Sequence, residues 1–113
     1  MAKPELEFHV PPRQWRPAGG PVHGIWEQQL SEDPETGDHT RLLRFDPGTD
    51  SSPNGTLTHD CWEEVYIISG ELTDLRLGER FTAGMYACRP PGMEHGPWRS
   101  DDGVLMYEIR YGM

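Results

Sequence analysis

The sequence predicts an all-β fold in one domain, and three observations support this prediction. The chain has 113 residues, enough for one hydrophobic core and too few for two. No window of about eleven residues carries an apolar stripe at helical spacing without an interrupting Gly or Pro. Short apolar runs instead alternate with turn sequences roughly every ten residues, which is typical of a sandwich or barrel. We therefore expect two antiparallel sheets that close on each other, with little or no helix.

Residues 1–20 are predicted to form an extended N-terminal arm, and residues 21–113 are predicted to form the barrel. The arm contains four prolines and the pair Gly19-Gly20, residue types that disfavour regular structure. One short strand is nevertheless expected inside the arm, at residues 6–10, where apolar residues occur.

Inside the barrel, strands are predicted where apolar, aromatic and β-branched residues concentrate. They cover residues 22–30, 40–45, 64–68, 72–77, 85–88 and 104–111. The segments between them carry turn chemistry, at residues 33–38, 46–48, 52–55, 69–70, 77–79, 90–92 and 101–103. The last strand alternates most clearly, with Met106, Glu108 and Arg110 on one face, so one of its two faces is expected in the core.

The charge balance limits the kinds of partner that the protein can have. The chain has 10 Lys and Arg against 19 Asp and Glu, which gives a net charge of -9. An acidic average field repels nucleic-acid backbones and anionic membranes, so we expect neither as a partner. No run approaches the roughly 18 apolar residues of a membrane span, and the N-terminus lacks the apolar core of a signal peptide. We therefore predict a cytoplasmic protein whose partners are small molecules or other proteins.

Few residues in the chain carry metal or nucleophile chemistry. Cys61 and Cys88 are too few for a disulfide framework, and both are expected to be buried thiols. Of the five histidines, His59 and His95 lie beside turn motifs. The candidate site is therefore expected in the two segments that contain them, residues 58–70 and 84–95.

The second of these segments resembles a signature motif of the cupin superfamily, whose members are small jelly-roll barrels that hold a metal. The family pattern is Gly, five residues, Pro, one residue, Gly, two residues and His. Gly84, Pro90, Gly92 and His95 meet this pattern, and Arg99 stands where an Asn is usual. The resemblance implies that the Pro-rich turn sets the backbone before a metal-binding His95.

The first segment resembles the other cupin motif, in which His-x-His is followed after three or four residues by Glu and after six more by Gly. His59 stands as the second His, with Glu63 and Gly70 at the later positions. Leu57 occupies the position of the first His.

Together the two motifs place the resemblance over about residues 40–111 and closest to the ChrR-like cupins. The doublet Glu63-Glu64 and the run Pro90-Pro91-Gly92 carry this closer likeness. The subgroup resembles two kinds of protein, the zinc-holding cupin domain of an anti-sigma factor and non-haem iron dioxygenases that cleave diketones or hydroxyacetophenones.

The resemblance implies one divalent transition metal per chain, held by His59, Glu63 and His95. Iron is the first expectation, and Zn, Mn, Ni, Co or Cu are alternatives for such imidazole and carboxylate ligands. A set of two His and one carboxylate leaves about three positions open on an octahedral ion. Two alternatives stay open: a structural zinc closed by Cys61 as a fourth ligand, and a barrel in which Leu57 marks a lost metal site.

Four further residues near the motifs are candidates for contact with a substrate. Glu64 is a candidate base, although a strand would turn it away from a neighbouring ligand and make it a solvated carboxylate. Arg89 and Arg99 are candidate anchors for a substrate carboxylate, or else surface ion pairs. Trp98 is a candidate pocket wall, or else core or dimer contact. His23, on a predicted strand, could aim its ring into the barrel.

These residues favour a metal-dependent enzyme acting on a small oxygenated substrate such as a β-diketone, a hydroxy ketone or a keto acid. With iron, oxidative cleavage is the natural reaction; with other metals, isomerisation or decarboxylation fits better. The alternative is a non-catalytic module in which metal or ligand binding has a sensory or regulatory role. We also expect a homodimer, because cupin barrels commonly pair.

Overall fold

The computed structural model describes residues 3–113 and is built almost entirely of strands, as predicted. The described residues form one short 3-10 helix, Ser52–Asn54, and nine strands. The strands are β1 (Arg16–Pro17), β2 (Ile25–Glu32), β3 (His39–Phe45), β4 (Thr49–Asp50), β5 (Trp62–Asp74), β6 (Glu79–Thr82), β7 (Tyr86–Arg89), β8 (Trp98–Ser100) and β9 (Val104–Tyr111).

The strands form two antiparallel sheets that share β5. The first sheet has the order β1-β2-β3-β9-β5-β7. The second sheet has the order β4-β8-β5-β6. The sheets curl around a common interior, and the predicted cupin jelly-roll architecture is confirmed.

The shared strand corrects one prediction. Residues 64–68 and 72–77 are not two strands separated by a turn at residues 69–70, because β5 runs unbroken through this point. A bulge between Ile67 and Ser69 bends the strand, and Gly70 follows with φ 84°. A Cβ on Gly70 would lie 2.0 Å from the carbonyl oxygen of Gly103, so only glycine permits this close approach. The bend lets one strand cross from the first sheet to the second.

The N-terminal segment corrects a second prediction, since residues 6–10 form no strand. Leu6, Phe8 and Val10 are exposed, and the hydrogen bonds in this stretch are local. Without a neighbouring strand, the backbone has no ladder to join. Arg16 and Pro17, which the prediction assigned to the arm, pair with β2. The first two residues of the predicted arm lie outside the described residues.

The interior of the barrel has two chemically different halves. The apolar half is the packed core, formed by the buried residues Val22, Ile25, Phe45, Val65, Ile67, Leu72, Trp98, Val104 and Met106. The charged half continues the inner faces of the first sheet beyond this core, and we define it by Glu27, Arg41, Glu63, Arg89, Glu108 and Arg110. Alternation along the strands puts both sets on the same inner surface.

The two cysteines differ in exposure to solvent. Cys61 is buried, as predicted, whereas Cys88 is exposed, so that part of the prediction was wrong. Cys88 pairs with Glu64 across β5 and β7, on the face of the sheet opposite Glu63.

Among residues 3–113, no helix has the length and apolar character needed to cross a membrane.

Candidate metal centre

His59, Glu63 and His95 converge at the charged half of the interior. The His59 Nε2 atom lies 3.1 Å from His95 Nε2 and 3.3 Å from Glu63 Oε2. The distance from His95 Nε2 to Glu63 Oε1 is 4.0 Å. The three candidate ligand atoms lie within 4.8 Å of one another. Residues that are far apart in sequence are therefore brought to one point, as the motif resemblance implied.

Backbone pairing between the two motifs explains this convergence. Leu57 and His95 form an isolated antiparallel bridge with two hydrogen bonds, of 2.8 Å and 3.0 Å. The amide of Gly92 donates a further hydrogen bond of 2.9 Å to the carbonyl oxygen of His59. Glu63 is the second residue of β5 and faces inward. The first motif is thus held against the turn that precedes His95.

Leu57 borders the same space as His95. Directly paired residues on antiparallel strands project their side chains to the same face, and both residues line the central cavity. The family position for a first His therefore lies beside the cluster in this protein but carries an apolar side chain. The candidate ligand set consequently has three members.

The two imidazoles are arranged as metal ligands should be. His95 Nδ1 lies 3.2 Å from the carbonyl oxygen of Met93, which accepts its hydrogen and leaves a lone pair on Nε2. Burial lowers the pKa of His95, and burial together with the charge of Arg110 lowers the pKa of His59. Both rings are therefore neutral near pH 7, which is the form that binds a metal.

Glu63 lies between two guanidinium groups. Arg89 Nη1 donates a hydrogen bond of 2.6 Å to Oε1, and Arg110 Nη2 lies 3.1 Å from Oε2. Burial raises the pKa of Glu63, but the charges of Arg110 and Arg89 outweigh it and lower the pKa overall. Oε2 is buried and has no well-aligned hydrogen bond within the described part of the chain. Glu63 is thus a carboxylate with a free lone pair.

These donors fit a divalent transition metal. Two imidazole nitrogens and a carboxylate whose buried Oε2 has no well-aligned hydrogen bond face one point, and this donor set suits borderline ions such as Fe, Zn, Mn, Ni, Co and Cu. Among the described residues, the cluster comprises His59, Glu63 and His95, and Cys61 lies outside it. The closed zinc shell with Cys61 as fourth ligand is therefore not formed.

Three charged residues of the site were missed by the sequence analysis. Glu108 Oε1 lies 2.7 Å from Arg41 Nε and 3.0 Å from Arg110 Nε. Arg110 Nη2 in turn lies 3.3 Å from His59 Nε2, so this network reaches the candidate metal ligands. The alternation of β9 had placed Glu108 and Arg110 on one face with Met106. It did not show that this face is the inner one.

Two of the predicted substrate-contacting residues line the cavity. Arg89 contacts Glu63, and its guanidinium carbon lies 5.2 Å from the ring centroid of Trp98. Trp98 is buried, with its ring centroid 6.3 Å from that of His95. Both therefore border the space next to the metal ligands.

The structure places the other predicted contact residues elsewhere. Arg99 is exposed and pairs with Asp101 at 3.0 Å. Glu64 accepts a hydrogen bond from the Tyr86 hydroxyl on the face of β5 opposite Glu63, and neither Arg99 nor Glu64 lines the cavity. The ring of His23 does not enter the barrel, because the residue is exposed.

The cavity beside the cluster has a volume of about 330 Å3. Its wall joins the charged half to apolar side chains, among them Leu57, Val65, Phe81 and Met106. The arrangement can therefore hold a small molecule that has a polar end near the metal ligands and an apolar body away from them.

Comparison with known families agrees with this geometry. The family model of the ChrR cupin-like domain matches residues 5–112. The chain belongs to this family. No curated protein sequence gives a significant match to this ChrR cupin-like domain.

Solved structures show the same fold at low sequence identity. The acetylacetone dioxygenase of Acinetobacter johnsonii has a TM-score of 0.76 at 19% identity, over 96% of this chain and 75% of that one. An RmlC-like cupin of Shewanella frigidimarina has a TM-score of 0.71 at 21% identity, over 97% and 93% of the two chains. The Rhodobacter sphaeroides complex of SigE with the anti-sigma ChrR matches at a TM-score of 0.67 and 20% identity, over 91% and 52%. At these identities the likeness shows the fold alone.

Proposed function

We propose that this ChrR cupin-like domain is a metal-dependent enzyme, of the non-haem iron dioxygenase type, that acts on a small oxygenated substrate. The observation that carries the proposal is a three-ligand cluster that faces a cavity of about 330 Å3. A two-His, one-carboxylate set leaves about three positions for substrate oxygens and dioxygen on an octahedral ion. Leu57 supports this assignment, because it adds no fourth ligand.

The residues of the chain have distinct tasks in this proposal. His59, Glu63 and His95 would hold the metal, which when bound supplies Lewis acidity and, as iron(II), access to dioxygen chemistry. The Met93 carbonyl fixes the tautomer of His95 through Nδ1. Arg89 borders the cavity and can contact a substrate oxygen.

The cavity volume of about 330 Å3 limits the substrate to a small molecule. The candidate classes are β-diketones, hydroxy ketones and keto acids, each of which offers two oxygens to a metal. Trp98 and Phe81 line the apolar side of the cavity and would pack against the substrate body. The likeness to the Acinetobacter acetylacetone dioxygenase supports the β-diketones among these classes.

A sensory or regulatory binding module is the second candidate. The likeness to the chain from the SigE complex with the anti-sigma ChrR favours it. A closed metal shell would suit such a role, yet Cys61 lies outside the cluster among the described residues. The open ligand set therefore favours the enzyme.

The enzyme proposal is tested on protein purified without an affinity tag. Elemental analysis and anaerobic Fe(II) reconstitution should give one metal per chain, and oxygen uptake should follow addition of at least one of the three carbonyl classes. Glu63→Gln should abolish both results. Glu64→Gln is the matched control, because the neighbouring side chain lies on the opposite face of β5 and should leave both unchanged. Stoichiometric metal without oxygen uptake would favour the sensory module instead.

We further propose a cytoplasmic homodimer. The outer face of the first sheet supports pairing, because it exposes large apolar side chains: Trp62, Tyr66, Ile68, Tyr86 and Tyr107. Burial of such a face between two copies is favourable. Light scattering should give twice the chain mass, and a monomer mass would contradict the proposal.

A further inference from the structure

The charges in the charged half of the interior balance, because it has three arginines and three glutamates. Arg41, Arg89 and Arg110 share Glu63 and Glu108 as buried partners. Toward the rim, Arg41 also pairs with Glu27, and Glu27 pairs with the exposed Arg16. The whole protein is acidic, with a net charge of -9. This end of the barrel therefore differs from the protein as a whole, because its own charges balance.

The remaining charges on the cavity wall change this balance little. Asp74 is buried, but its carboxylate accepts the backbone N–H groups of Arg76 and Leu77 in the turn after β5, so its charge is compensated locally. Arg76 and Glu94 are exposed to solvent, where their charges are screened.

Two of the arginines depend on the same carboxylate that serves as a candidate metal ligand. Arg89 Nη1 lies 2.6 Å from Glu63 Oε1, and Arg110 Nη2 lies 3.1 Å from Oε2. A divalent ion at this carboxylate would add two positive charges without adding a negative one. Buried charge without a partner is costly, so the loaded site favours a ligand that brings its own negative charge.

The apolar lining of the cavity determines which chemical groups the rest of the ligand can carry. Leu57, Val65, Ile67, Phe81 and Met106 line the wall beyond the charged half. A ligand that fills this space removes apolar surface from water, which contributes to affinity. The cavity is therefore matched to an anion with an apolar tail.

We propose that the ligand of this site is a 2-oxo acid with an apolar tail, whose carboxylate is bound by Arg89 and Arg110. Guanidinium groups bind carboxylates in a planar fork through charge-assisted hydrogen bonds. The 2-oxo group beside the carboxylate gives the second oxygen for the metal. The inference rests on the proposed function and selects one of its three carbonyl classes, the keto acids, over neutral diketones.

A matched pair of ligands tests the charge requirement. 4-Methyl-2-oxopentanoate and 5-methylhexane-2,3-dione share the same tail and the same adjacent carbonyls, and differ by a methyl group in place of one carboxylate oxygen. We expect isothermal titration of the Co(II)-loaded protein to give at least about tenfold tighter binding of the oxo acid. Equal affinities, or tighter binding of the dione, would overturn the inference.

Three variants assign the effect to particular arginines. Arg89→Met and Arg110→Met keep much of the side-chain volume and remove the charge, so each should weaken oxo-acid binding about tenfold and weaken dione binding much less. Arg99→Met is the matched control, since Arg99 is exposed and pairs with Asp101 outside the cavity. An equal loss for both ligands would show that the two arginines act through the fold and not on the carboxylate. Thermal melts check that each variant folds, and the wild-type comparison decides the charge requirement by itself.

The same titrations separate this inference from the proposed function. Absence of stoichiometric metal and of oxygen uptake would remove the enzyme, but the metal-free protein can still be titrated with both ligands. A preference for the oxo acid there would support an anion site without metal chemistry. Metal-dependent oxygen uptake with neutral diketones alone would instead keep the enzyme and overturn the anionic ligand.

Discussion

The apolar half and the charged half of the barrel interior lie on the same strands. Along β9, the inner residues change from Val104 and Met106 to Glu108, and along β5 from Val65 to Glu63. The pleat that buries the core therefore also aims the site residues inward. The same alternation therefore serves packing at one end of a strand, where the inner residues are apolar, and the candidate site at the other end, where they are charged.

The two halves differ in what they contribute to stability. Each large apolar side chain buried in the core stabilises the fold by about 1.5–3 kcal/mol. In buried ion pairs such as Glu108 with Arg41, the electrostatic attraction roughly offsets the free-energy cost of removing both charges from water. The charged half is therefore better explained by its contacts to the candidate metal ligands than by a contribution to stability.

The largest effect, a loss of bound metal, is expected from replacing a candidate metal ligand. His95→Ala should abolish stoichiometric metal, since it leaves one imidazole and one carboxylate at the site. Elemental analysis after dialysis against Co(II) measures this loss. His23→Ala provides the control, because His23 is exposed, and it should retain one metal per chain. Retention of one metal by His95→Ala would remove the proposed centre.

One substitution in each half should show which half contributes more to the free energy of unfolding. Met106→Ala should lower the free energy of unfolding by about 2–5 kcal/mol, because it leaves a cavity in the core. Glu108→Gln should cost less, about 1–3 kcal/mol, because Arg41 keeps Glu27 and Arg110 keeps Glu63. Urea unfolding measures both. A larger loss for Glu108→Gln would mean that the charged half is a main source of stability.

Restoring the family His should change the site without changing the core. Leu57→His should tighten Co(II) binding about tenfold, because the new imidazole would lie beside His95, its bridge partner. The same ring would narrow the space for substrate oxygens, so ligand affinity should fall. Competition with a metal chelator measures the first effect. Unchanged metal affinity would show that the side chain at position 57 does not reach the ion, and Leu57→Phe controls for added bulk.

The smallest effect is expected from acidification of the metal-free protein. Burial lowers the pKa of His59 and His95 in the folded state, whereas unfolded histidine titrates near about 6.5. The unfolded chain then binds protons that the folded chain does not. The free energy of unfolding should therefore fall as pH drops from about 7 through 6.5 toward the lower folded values. Glu63, whose pKa is also lowered, should add a second loss below about pH 4.3.

Urea unfolding at pH 7.5 and 5.5 measures the first of these losses. The double variant His59→Gln, His95→Gln should show a smaller difference between the two pH values. An unchanged difference would assign the pH dependence to other groups.

Motif spacing predicted the cluster of His59, Glu63 and His95 better than periodicity predicted the strands. His59, Glu63 and His95 were identified because turn residues and ligands recur at fixed offsets in this family. Periodicity failed at β5, where the bulge and Gly70 let one strand continue through a sequence that is typical of a turn. It also failed at residues 6–10, because alternation cannot show whether a neighbouring strand is present.

The sequence by itself determined the all-β class, the cupin resemblance and the three candidate ligands, because these depend on local turn chemistry and on short spacings. Only the tertiary structure decided which face of β9 points inward, and hence that Glu108 and Arg110 belong to the site. It also decided that Arg89 enters the cavity while Arg99 and Glu64 do not. The physical reason is that alternation along a strand separates two faces without assigning either to the interior. Sheet curvature and cross-strand register make that assignment.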